Sequence, residues 1–111
     1  MFRREKQGAV EVIRGHAPFN DDVLSEFADI VEVCLSSGDG QIVVDLSHVS
    51  LISSAGLEAL VDLQTRCLRQ GGAMKISAAN DLCSHVLRVT GVEERIELFP
   101  DAITAAGSFA D

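Results

Sequence analysis

The run Gln41-Ile42-Val43-Val44-Asp45-Leu46 constrains this chain more than any other part of it. Three β-branched residues stand in a row, so a strand here points apolar side chains to both sides of its sheet. Such a strand belongs in the middle of a sheet covered on both faces, as in sheets built with crossover helices. The flanking segments supply the helices. Upstream, Pro18-Phe19-Asn20-Asp21-Asp22 offers a cap and first-turn acids, and a helix then runs to about Ser36. Its apolar stripe is Val23, Leu24, Phe27, Ile30, Val31, Cys34 and Leu35. Downstream, Leu57, Leu60, Val61, Leu63, Cys67 and Leu68 form an inward stripe. Glu58, Asp62, Arg66 and Arg69 face out, and Asp62 and Arg66 are spaced to pair along the helix.

The rest of the chain repeats this alternation. Ala9 to Ile13 has strand period and ends at Gly15, and Phe2 to Glu5 can pair with it across the Gln7-Gly8 turn. After Gly71-Gly72 comes a strand over Ala73 to Ala78, then a helix from the cap-competent Asn80 to Val89, stopped by Gly91. A short strand from Ile96 to Phe99 and a final helix after Pro100-Asp101 complete the order β(β)αβαβαβα. This predicts an α/β fold with a mixed sheet of four to five strands and about four helices. The 111 residues suit one domain, 1–111.

Composition narrows the function classes. With 47% hydrophobic residues but no Trp or Tyr, the core must rest on Leu, Val, Ile, Ala and Phe. Nine basic residues against 17 acidic give a net charge of -8, which repels phosphate backbones and argues against nucleic-acid binding. No run approaches the roughly 18 apolar residues of a membrane span, and no apolar segment follows the charged start. A cytoplasmic protein without membrane insertion is expected. Cys34, Cys67 and Cys83 fall at apolar helical positions and read as reduced small hydrophobes. His16, His48 and His85 have no ligand spacing, so no metal is expected. Neither a G-x-S-x-G turn nor a Gly-rich phosphate loop with a lysine is present, so catalysis and a bound cofactor are not expected.

The informative stretch runs from Val43 to Leu60: a buried strand, a loop anchored by apolar residues, then Ser53 and Ser54 opening a helix. Either serine can serve as the N-cap. Unpaired N–H groups and the helix dipole favour negative charge at that end. A phosphate there would add about −1.5 to −2 charge at neutral pH without opposing the helix.

Asp45-Leu46-Ser47 followed by Ser53-Ser54-Ala55-Gly56-Leu57 resembles the signature of the STAS family, typified by bacterial anti-sigma factor antagonists. Arg69-Gln70-Gly71-Gly72-Ala73-Met74-Lys75-Ile76, Leu87-Arg88-Val89-Thr90-Gly91-Val92 and Phe99-Pro100-Asp101 continue the likeness in the family's order. The resemblance places Ser54 on the phosphoacceptor position, with Ser53 where the family usually has an acid and Ala55 on the following Ser/Thr. It implies a partner surface of Ser53, Ala55, Gly56 and Glu58, with Asn20 and Asp21 nearest to a further family acid. It implies an anti-sigma factor antagonist, monomeric or weakly dimeric. Its partners would be an anti-sigma factor that is a serine kinase of the histidine-kinase-like ATPase type, and a PP2C-type phosphatase. The alternatives within the family are the STAS subunit of a bacterial phospholipid-transport ABC system and a partner-switching component with a non-sigma output.

Overall fold

A computed structural model describes residues 1–110. Strands β1 (Phe2–Gln7) and β2 (Val10–Gly15) form an antiparallel hairpin, turned at Gly8 with φ 65°, a left-handed value suited to glycine. Then β3 (Gln41–Asp45), β4 (Ala73–Ser77) and β5 (Leu98–Phe99) add in parallel, so the spatial order equals the chain order. The result is the mixed five-stranded sheet that the alternation predicted. Edge strand β1 exposes Arg3, Arg4, Glu5 and Lys6, and charges on an edge discourage pairing with another chain.

Side-chain alternation gives the sheet two unlike faces. Ile13, Val44 and Ile76 lie in register and point to one side, with Ile42 and Met74 beside them. Helices α1 (Leu24–Ser37), α2 (Ser54–Arg69) and α3 (Asp81–Val89) cover that side and close the main core. Val12, Val43 and Lys75 form the next rank on the opposite side, where α4 (Ala102–Gly107) lays Ala102, Ala105 and Ala106 over Val10, Val12 and Val43. Lys75 is buried there, with its Nζ 4.1 Å from the centre of the Phe109 ring and donating to Ser108 Oγ at 2.6 Å.

The ends of the helices are read well by chemistry. Asn80 Oδ1 accepts from Cys83 N–H at 2.7 Å, and Asp101 Oδ1 accepts from Thr104 N–H at 2.7 Å. Asn20 does cap a helical start, but of a 3₁₀ turn over Asp21–Val23, and α1 begins only at Leu24. The last strand is shorter than Ile96 to Phe99, because Ile96 accepts the role of a core anchor in the turn before it. Two side chains depart from expectation. Arg66 pairs across to Glu32 of α1 at 2.5 Å instead of along its own helix to Asp62. Leu68 is 58% exposed, since it sits in the last turn of α2, beside the inward Cys67 and beyond the packed stripe.

All three cysteines are free and buried, and burial pushes the Cys67 thiol up to about 12. The thiolate is therefore scarce at neutral pH and the group behaves as a packing residue. Among the described residues, no helix is long and apolar enough to cross a membrane.

Candidate functional site

Strand β3 ends on Asp45, whose buried carboxylate organises the exit. Ser77 Oγ donates to Asp45 Oδ1 at 2.7 Å, while Ser47 Oγ and Arg14 Nη1 donate to Oδ2 at 2.5 Å and 3.2 Å. A buried charge needs such partners. Asp45 is thus a brace at the strand end, its carboxylate engaged by three donors of the chain itself. From there Val49 and Ile52 sink into the core and fix the loop between them.

The loop is joined to the one that follows β2. Phe19 N–H donates to Leu51 O and Ser53 N–H donates to Phe19 O, both at 2.9 Å, forming a parallel bridge between Phe19 and Ile52. This brings the Asn20–Asp21 turn against the start of α2, two parts of the chain that the sequence separates by more than thirty positions. Gly56 makes the approach possible. A Cβ on it would lie 2.5 Å from the Phe19 carbonyl oxygen and 2.9 Å from the Phe19 ring. Gly56 is itself buried, so what comes close to it is this chain's own backbone, and it offers no surface of its own.

The two serines have separate positions. Ser53 is extended, at φ -80° and ψ 171°, and its Oγ accepts from Gly56 N–H at 3.1 Å. It is the N-cap. Ser54 is the first helical residue and exposed. Among the described residues, no side-chain hydrogen bond engages its Oγ. A nucleophilic hydroxyl therefore stands free at the polarised end of a 16-residue helix. Ala55 is half-buried beside it, and Glu58 is exposed one turn further on. On the neighbouring turn Asp21 is exposed, while half-buried Asn20 directs its Oδ1 to Asp22 N–H at 3.0 Å.

Four residues at this end of the sheet have roles that the sequence reading did not assign to them. Phe19 anchors the bridge between loops. Asn80 not only caps α3 but donates through Nδ2 to the carbonyls of Val49 and Ser50, both at 3.3 Å, tying α3 to the site loop. His16 and His48 stack with ring centres 5.2 Å apart. Only Asn80 carried a local signal, as a cap; its second role needs the fold. The surroundings are acidic: no Lys or Arg stands between Arg14 and Arg66. Among the described residues, no group of three His, Cys, Asp or Glu side chains is placed to hold a metal ion.

A family model described as "Mlab, STAS domain" matches residues 2–100. The chain belongs to the STAS family. Its fold agrees with that of a Thermotoga maritima protein assigned as an anti-sigma factor antagonist, at TM-score 0.92 and 20% identity over 99% of this chain and 95% of that one. An anti-sigma factor antagonist from Mycobacterium paratuberculosis superposes at TM-score 0.90 with 18% identity, covering 100% and 94% of the two chains. The Bacillus cell fate determinant SpoIIAA in its phosphorylated form does so at 0.71 with 13% identity, over 92% and 91%. The fold also forms part of the murine anion transporter Slc26a9, where the match is 18% of that chain. No curated protein matches the sequence. At these identities the solved structures establish a shared fold, and this STAS domain's own activity must be argued from its site.

Proposed function

We propose that this chain acts as a single, non-catalytic STAS domain in a partner switch, as an anti-sigma factor antagonist in which Ser54 takes and loses a phosphate. Unmodified, it binds an anti-sigma factor that is a serine kinase. Transfer of the ATP γ-phosphoryl group to Ser54 Oγ releases the hydroxyl proton to solvent or a base of the kinase, leaves ADP, and dissociates the pair. A PP2C-type phosphatase hydrolyses the ester and restores the hydroxyl. The observation that carries this reading is the division of labour between neighbours: Ser53 holds the helix cap, and Ser54 stands exposed with its hydroxyl uncommitted.

The physical consequence suits a switch. A dianion at the start of α2 meets a favourable dipole, so the fold tolerates it. At an interface it must be desolvated without a cation, which costs several kcal/mol; even ~3 kcal/mol weakens binding on the order of 100-fold. Ser53 in place of the family's usual acid leaves the acceptor without a repelling neighbour. The binding face would comprise Ser54, Ala55 and Glu58 with Asn20 and Asp21, over the support of Ser53 and Gly56.

The test is incubation with an anti-sigma factor kinase and ATP, followed by mass spectrometry, together with calorimetric titration of wild type and Ser54→Asp. Phosphate on Ser54 and weakened binding by Ser54→Asp are expected. Phosphate on Ser53, or equal binding by both forms, overturns the proposal. The family description "Mlab" favours a second reading, the STAS subunit of a bacterial phospholipid-transport ABC system. In that case the chain binds an ABC ATPase subunit and meets no kinase.

A further inference from the structure

Beside the site, α1 and α2 part to leave a groove of about 250 Å³. Phe27, Val31 and Leu63 form its apolar floor, and Ala28 and Ala59 stand on its two walls. Neither alanine is long enough to bridge the gap. We propose that this groove docks a basic amphipathic helix of a partner protein, with apolar side chains on the floor and Lys or Arg along the rim. The proposal concerns the groove alone and holds whether or not Ser54 is modified.

Size and shape argue for side chains of a partner over a metabolite. Small-molecule sites usually enclose roughly 300–1,000 Å³, and this one is smaller and lies open along the helices. Helix-in-groove docking needs only a shallow apolar trough flanked by charge.

Charge complementarity selects the partner's chemistry. Asp62 lines the groove, and Glu58 stands one turn earlier on the same helix. At the start of the α1 wall, Asp21 and Asp22 are exposed. The one cation in the groove is Arg66, and Glu32 holds it at 2.5 Å. That guanidinium keeps the Glu32 carboxyl below its usual value, so the pair stays ionised and neutral as a unit. What remains along the rim is negative, and a cationic segment is the complement. The chain's own cationic hairpin is a poor occupant, because Arg4 is bound to Glu11 and Arg14 to Glu5 and Asp45.

The experiment titrates the ¹⁵N-labelled full chain with a synthetic helical peptide of Leu and Lys, with oligolysine and a Leu/Glu peptide as controls. Saturable amide shifts at Leu24, Ala28, Ala59 and Asp62 are expected with the Leu/Lys peptide. Asp62→Lys should weaken that binding on the order of tenfold. Ala28→Phe, at an exposed position that leaves folding intact, should fill the groove and abolish the shifts. The proposal is overturned if oligolysine binds as tightly, if the shifts lie elsewhere, or if Ala28→Phe binds like the wild type. Concentration-dependent shifts at Ala28 and Ala59 without peptide would also overturn it, by naming a second copy as the occupant.

Discussion

One face of the sheet carries three helices over Ile13, Ile42, Val44, Met74 and Ile76, whereas the other carries a six-residue helix of small side chains over Val10, Val12 and Val43, with buried polar residues on the same face. On the first face the side chains are large and interdigitate with Phe19, Phe27, Leu60 and Leu63. On the second, Asp45, Ser77 and Lys75 are buried among hydrogen-bonding partners, and Ala102, Ala105 and Ala106 supply the apolar cover. The first face derives its stability from burial of apolar area. The second depends on a few directed contacts made by the end of the chain. The features proposed to face a partner, Ser54 and the α1–α2 groove, belong to the better-packed layer, which can carry a modification without yielding.

Substitutions can break or sharpen this contrast. The largest effect is expected from Leu60→Ala, which empties a fully buried position under α2; thermal or denaturant unfolding should show a loss of about 2–5 kcal/mol. Lys75→Met keeps the stem but removes the charge over the Phe109 ring and the bond to Ser108. A smaller loss of about 1–2 kcal/mol is expected, with amide exchange rising first in α4 and the following turn. Ser53→Ala should cost about 1 kcal/mol as a lost cap, whereas Ser54→Ala should stay within about 0.5 kcal/mol of wild type. Equal losses at the two serines would contradict their assignment.

The smallest effect is one of pH, and it too distinguishes the faces. Bonds from Thr104 hold the Asp101 carboxyl below its unfolded value of 3.8. A depressed carboxylate stabilises the folded state above the unfolded value and ceases to do so as pH falls through the folded one. Below pH 3.8, α4 should therefore loosen before α2, which has no acid at its cap. Exchange or nuclear magnetic resonance at decreasing pH would show it, and simultaneous loosening of both helices would count against it.

Much of the architecture was readable because the periodicities are clean. The three β-branched residues of β3 announced cover on both sides, and both sides are covered. The second cover was hard to foresee in detail, since α4 has alanines and a glycine where a stripe of large residues would have declared its face. The Asp45-to-Leu57 motif marked the candidate site, but pattern alone could not choose between two serine caps; that required the extended backbone of Ser53 and its bond to Gly56. Contacts between distant segments left no local trace. Glu32 drew Arg66 away from the Asp62 that helical spacing favoured, and Phe19 supplied the surface against which Gly56 must be bare.

The bond from Gly56 N–H to Ser53 Oγ has one more consequence. An enzyme seeking to esterify Ser53 must first pull its oxygen out of the helix entrance, whereas the next hydroxyl along requires no such unravelling. Were the chain a substrate, discrimination between adjacent identical groups would thereby be written into it, and a modifying enzyme of modest selectivity would still strike only one of them.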